Sequence, residues 1–184
     1  MKTIYVYIMR GGKREKEGYM KKYINFKKMV LCIMMILTMA FNAMNVQAGA
    51  LDYLGNTIDG SVLTNENEAL GTYKSIARST YLLEGFVRIT NNGKGYVGIG
   101  AGTECAVTCN KVKLNVYLER SNGDGNFYSY KKWETSDTNA DAVYLDKQVK
   151  VEKGYYYRLR GYHSCTKNGV TENGGSVTDG IYIG

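Results

Sequence analysis

Cys105, Cys109, Cys165 and His163 are the residues best suited to covalent or metal chemistry in this chain of 184 residues. A Cys–His pair can generate a thiolate nucleophile, and Cys165 follows His163 by two positions. On a strand the two would share a face, with Cα atoms roughly 6–7 Å apart. His163 is the single histidine of the sequence, so a Ser–His–Asp type of triad would have to be built on it, with Glu172 or Asp179 orienting the ring. No Gly-x-Ser-x-Gly elbow or comparable context accompanies it. A histidine satisfied by neighbouring polar groups is therefore the expectation. The Cys-x3-Cys spacing over 105–109 has no second pair to complete the four ligands zinc wants, which argues against a metal site. The cysteine pattern predicts one disulfide, joining Cys165 to Cys105 or Cys109, with the third thiol left over. Asn122-Gly-Asp-Gly-Asn126 resembles part of a calcium loop but lacks the later acidic ligands, and turn formation explains it. The carboxylates show no distinctive pairing for glycoside hydrolysis. No catalytic residue, metal or cofactor is assigned.

Tyrosine offers chemistry of another kind. The chain has 17 Tyr against 4 Phe and 1 Trp. Over 111–120 the residues Val112, Leu114, Val116 and Leu118 alternate with polar ones, the mark of a strand dry on one side and wet on the other. If these residues face a core together with Tyr157 and Leu159, then Tyr117, Tyr156, Arg158, Arg160 and Tyr162 face solvent. Tyr128 and Tyr130 are candidates to extend that face. Tyr and Arg supply stiff, amphipathic contact area at recognition surfaces, so the face suits an extracellular glycan, an envelope component such as peptidoglycan, or a protein. The competing reading is cross-strand Tyr–Arg packing that only stiffens a solvated sheet.

The elements that must hold these residues are strands. From Ser79 onward the hydrophobic period is two and β-branched and aromatic residues dominate. Strands are predicted over 80–90, 95–102, 111–120, 127–135, 142–152, 155–164 and 176–183. Asn91-Asn92-Gly93-Lys94-Gly95 supplies residues that tolerate positive φ, as a tight hairpin requires. Residues 167–175 read as a loop. Residues 49–78 lack a clear period and read as a flexible lead-in with at most one short strand or helical turn. About seven short strands with regular turn signals predict one all-β domain over 79–184, a single antiparallel β-sandwich of immunoglobulin-like form.

Charge and hydropathy place this domain outside the cell. Nine Lys and Arg and two Glu in residues 1–48 account for the whole formal charge of +7, leaving fifteen bases and fifteen acids in 49–184. A neutral domain gives no electrostatic case for nucleic acid or anionic lipid. Lys21, Lys22, Lys27 and Lys28 precede an apolar run over 30–41, and Val46-Gln47-Ala48 places small residues where a signal peptidase reads them. The run is shorter than the roughly 20 apolar residues of a membrane span. Residues 20–48 thus read as a cleavable signal peptide after an N-terminal extension, 1–19, that precedes the expected true start at Met20. The product is expected to be secreted, extracellular or associated with the cell wall, with no stable membrane insertion after cleavage.

Two resemblances follow from particular residues. Gly154-Tyr-Tyr-Tyr157-Arg-Leu159-Arg-Gly161 resembles the strand entry of fibronectin type III and related immunoglobulin-like sandwiches, in which a tyrosine ties back a neighbouring loop. The resemblance implies that Tyr157 and Leu159 point inward, with Trp133 as a core partner. Val116-Tyr-Leu-Glu-Arg120, Trp133, Gly154-Tyr-Tyr-Tyr-Arg158, Arg160-Gly-Tyr-His163, Lys167-Asn-Gly-x-x-Glu172 and Ser176-x-Thr-Asp-Gly-Ile181 resemble an uncharacterised family of small secreted proteins from clostridia-type Gram-positive bacteria. That likeness spans 112–183 and implies export and a one-domain β fold, but no activity. The function expected is non-enzymatic binding through the Tyr/Arg face; the alternative is a secreted effector or bacteriocin-like protein acting on other cells.

Overall fold

The computed structural model describes residues 49–75 and 80–184. The signal peptide expected over 20–48, the start at Met20 and the stretch 1–19 lie outside the described residues. After a 3-10 turn at Ala50–Tyr53, the described chain forms nine strands: β1 (Thr57–Ile58), β2 (Ser61–Thr64), β3 (Glu68–Lys74), β4 (Leu82–Asn91), β5 (Tyr96–Ser121), β6 (Tyr128–Lys150), β7 (Tyr155–Lys167), β8 (Val170–Val177) and β9 (Gly180–Ile183). Among the described residues no helix is long and apolar enough to cross a membrane.

Where the period-two pattern predicts a sandwich of two antiparallel sheets, the nine strands join in one. The order is β1-β2-β9-β7-β5-β4-β3, with β6 also on β5 and β8 also on β7. The sheet is mixed, because β2 runs parallel to β9 through Leu63↔Gly180 and Thr64↔Ile181. It curls into a half-barrel.

The curl originates in two strands far longer than the sequence pattern predicts. β5 runs for 26 residues and β6 for 23, each absorbing what reads as two strands and a connection. No glycine or proline interrupts 103–110, so the backbone continues through a register break between Glu104 and Cys109 instead of turning back. Before the break β5 is flanked by β4 and the end of β6; after it, by the beginning of β6 and by β7. A bulge of this kind bends a strand and steepens its twist. Bending brings β4 onto β7 and β8, so closely that glycine is required at the crossing. A Cβ on Gly85 would lie 2.4 Å from the His163 ring, and one on Gly161 would lie 2.7 Å from Val87. The main core fills the concave side with Val87, Ile89, Ile99, Leu114, Val116, Leu118 and Leu159.

The predicted turn after β4 is present, with positive φ at Gly93, Lys94 and Gly95. The predicted loop over 167–175 is instead a tight hairpin at Asn168-Gly169, with φ of 51° and 79°, followed directly by β8. The glycines of β8 mimic a loop, yet Gly174 is small for packing: a Cβ there would lie 2.5 Å from the ring of Tyr73. Residues 49–75, which read as a lead-in, hold the 3-10 turn and β1 to β3. The turn, β1 and β2 fold onto the convex side, where Ile58, Leu63 and Tyr156 form a second core with Ala50, Tyr53, Phe127 and Tyr182 packed around it.

Candidate functional site

Alternation along β7 divides its side chains between the two sides of the sheet. Tyr157 and Leu159 are buried on the concave side, as expected, and His163 and Cys165 are buried there with them. The Tyr157 hydroxyl donates to the Glu152 carbonyl at 2.8 Å, tying down the turn before β7, and burial pushes its phenol up to about 12. Trp133 is partly buried against the same core. Tyr156, Arg158, Arg160 and Tyr162 take the convex side, which they share with Glu119, Tyr117 and Asn115 of β5 across the ladder.

The convex face is not uniformly exposed. The pattern predicts Tyr156 and Arg158 in solvent, but they are 0% and 1% exposed. The cause is the N-terminal segment, whose β1–β2 hairpin lies over this end of the sheet. Its turn, Asp59-Gly60, has positive φ at both residues, the geometry of an Asp-Gly hairpin. Arg158 is buried because every part of its guanidinium is met. Nε donates to Glu119 at 2.7 Å, Nη1 to the Ser61 hydroxyl at 2.8 Å and to the Asp59 carbonyl at 3.0 Å, and Nη2 to the Asp59 carboxylate at 2.6 Å. Its plane lies 4.0 Å from the centre of the Phe127 ring, a cation–π contact. Arg160 repeats the pattern nearer the rim, reaching Asp59 at 2.5 Å and Glu119 at 3.2 Å. Hydrogen bonding from Arg158, then its charge and that of Arg160, hold the Asp59 carboxyl below its usual range. Tyr156 and Arg158 are therefore structural, and the binding face assigned to them shrinks.

What remains open lies beyond the hairpin. Tyr162 is 50% exposed and meets Tyr117 edge to face, ring centres 5.6 Å apart. Lys132 of β6 stands 5.3 Å from the Tyr117 ring centre. Tyr162 is paired with Gly175 of β8, and a Cβ at that glycine would meet only the Gly161 carbonyl, at 3.7 Å. The result is an exposed shelf, with the Tyr162 ring at its centre and Arg160, Ser164 and Asn173 at its margin. The side-chain oxygen of Asn115, opposite Tyr162 on β5, is buried with no hydrogen-bond partner. Tyr128 is exposed, whereas Tyr130 packs edge to face on Tyr157 at 5.6 Å and does not join the shelf. The sequence pattern misses Asp59, Glu119, Phe127 and Lys132; the Asp59-Gly60 turn signal was there to find, but nothing local indicates where that hairpin docks.

The candidates for catalysis are occupied by structural bonds. His163 is buried with Nδ1 2.8 Å from the Thr103 hydroxyl and Nε2 2.7 Å from that of Ser176, and burial lowers its pKa to about 4. Both ring nitrogens are thus engaged by hydroxyls, and the ring is neutral at pH 7. Glu172 accepts from the backbone N–H groups of Thr80, Tyr81 and Leu82 at 2.7–2.9 Å. Asp179 accepts from Val62 N–H at 2.8 Å. In the turn over 122–126, Asn122 donates to Asp124 at 2.8 Å and Gly123 N–H to the Ser121 hydroxyl at 3.0 Å, which is turn chemistry. Cys105, Cys109 and Cys165 are all buried and all free thiols, where the pattern predicts a disulfide from Cys165.

A second concavity lies between Arg88, Thr90, Asn92, Gly98, Asp146 and Gln148. It is polar and open and has no aromatic surface on which a ring could stack. In sequence, the pattern of one family of unknown function matches residues 55–180. No curated protein matches the chain.

Proposed function

The chain belongs to DUF6147, a family of unknown function, and we propose that it is a secreted, non-enzymatic binding protein that holds an envelope glycan against the shelf of Tyr162 and Tyr117. One observation carries this reading: Tyr162 is half exposed beside a paired position, Gly175, that has no side chain. A sugar ring laid on a tyrosine face buries apolar C–H surface, and polar groups at the margin fix its orientation. Tyrosine is suited to this because it gives up little side-chain freedom on binding. Arg160 is already held by Asp59 and Glu119, so it reaches a ligand without the entropy cost of being ordered. Export through a leader ending near Ala48 would deliver the domain to the wall or the medium. The occupied His163, Glu172 and Asp179 favour binding over catalysis.

The test is sedimentation of the purified protein with isolated peptidoglycan sacculi. Unaltered protein should pellet, and Tyr117→Ala plus Tyr162→Ala should remain in the supernatant with thermal stability almost unchanged. Equal pelleting of the two proteins, or none by either, would reject a glycan role for the shelf. Growth arrest of neighbouring strains by the protein, without sedimentation, would instead favour an effector.

A further inference from the structure

The bulge that bends β5 also gathers three sulfurs. Register with β6 is lost between Glu104 and Cys109, and on either side of the gap Cys105 and Cys109 both turn into the core. Cys165 of β7, opposite Val112 on β5, enters from the facing strand. The three Sγ atoms all lie within 4.8 Å of one another, and among the described residues no histidine or carboxylate joins them. His163, two residues before Cys165 on the same side, is held by Thr103 and Ser176. The side-chain donor set is therefore three sulfurs, with the Val107 carbonyl accepting from Cys109 Sγ at 3.3 Å.

We propose that Cys105, Cys109 and Cys165 form a three-coordinate, all-sulfur site for one soft, thiophilic ion. The geometry separates this from its two rivals. An ion about 2.3 Å from each of three sulfurs in a plane needs them about 4 Å apart, and the three lie within 4.8 Å of one another. A disulfide needs two sulfurs at about 2.05 Å, whereas all three cysteines here are free. Zinc in structural sites takes four ligands, one more than the cluster has. Soft sulfur donors select soft ions, and cuprous copper and trivalent arsenic are both satisfied by three.

The chemistry balances without an oxidant. Cu(I) would displace three protons to solvent and leave a complex of charge −2. Lys167 compensates in part, because its ammonium donates to the Thr108 carbonyl inside the same bulge at 2.5 Å. Arsenous acid would exchange its three hydroxyl groups for three thiolates, release three waters and leave a neutral trithiolate. Burial raises the Cys105 and Cys165 thiols, so an ion bound there displaces protons from them. Residues 106–108, between the two cysteines of β5, are exposed, so the cluster lies just beneath the surface.

The experiment uses the reduced protein in a Cys32→Ser background, which removes the one cysteine outside the cluster. Cu(I) is titrated anaerobically against a competing cuprous chelator, arsenite and zinc are run in parallel, and native mass spectrometry reads stoichiometry. One Cu(I) or one arsenic per chain is expected, bound tighter than zinc; which of the two binds tighter identifies the ion class. Cys165→Ala and Cys109→Ala should each lose more than the roughly 10–100-fold that removal of a supporting residue costs a metal site, with thermal melts confirming that the variants fold. Native mass spectra of the parent protein decide stoichiometry even if a variant fails to fold. Zinc binding tighter than both soft ions, binding indifferent to loss of Cys165, or protein isolated with Cys165 in a disulfide that takes up no ion would each overturn the proposal.

Discussion

Arg158 and Tyr162 differ by four positions on one face of one strand, yet one is a structural residue and the other an exposed one. Their alternation is identical, and only the docking of Asp59-Gly60 distinguishes them. Arg158→Met should destabilise the protein by about 3 kcal/mol, the low end for breaking a buried ion pair, because Arg160 still serves Glu119. Tyr156→Ala should cost about 3–5 kcal/mol, as truncation of a large buried ring does, while Tyr162→Ala should cost less than about 1 kcal/mol. Urea denaturation at pH 7 measures all three. Equal losses at 156 and 162 would show that the convex face is divided elsewhere.

His163 adds a pH dependence whose sign follows from burial. Its pKa falls from 6.5 unfolded to about 4 folded, so the unfolded chain binds the proton more tightly. Stability is complete above pH 6.5 and declines as pH falls through the window to about 4, by about 3 kcal/mol if this group acts alone. Below the folded pKa the loss levels off. A His163→Gln variant that retains its fold should lack this slope; an unchanged slope would assign the acid sensitivity to other groups.

At the scale of elements, the long β5–β6 hairpin decides the architecture. Its alternation over 111–120 was legible because Val112, Leu114, Val116 and Leu118 all face one core, and the turn at 91–95 because its residues accept positive φ. The continuity through 103–110 was not legible. A strand that bends and continues has the same local composition as two strands, and the difference lies in which partner flanks it, β4 before the break and β7 after it. The same limit hid β1 and β2, whose shortness leaves no period to read, and with them the burial of Arg158. The crossing of β4 over β7 makes a sharp prediction. Gly85→Ala would place a methyl 2.4 Å from a His163 ring held at both nitrogens, so it should cost about 1–3 kcal/mol by overpacking. Ala at Gly175, which stands open, should be nearly neutral; a thermal melt comparing the two variants checks the pairing.

For the molecule as a whole, the two sides of the sheet have separate tasks. The concave side holds the main core, the neutral histidine and the three thiols. The convex side is closed by the N-terminal hairpin at one end and left open at the tyrosine shelf. If recognition occurs on that shelf, it should leave the core and the sulfur cluster unmoved, because neither contributes to the exposed surface. The most direct measurement is an NMR titration of isotope-labelled protein with soluble peptidoglycan fragments, following each backbone amide. A glycan on the shelf predicts saturable shifts confined to Asn115, Tyr117, Lys132, Arg160, Tyr162, Ser164, Asn173, Gly175 and their chain neighbours, with Gly85 and Val87 unmoved. Shifts centred instead on Arg88, Gly98 and Gln148, or no shift at all, would contradict it.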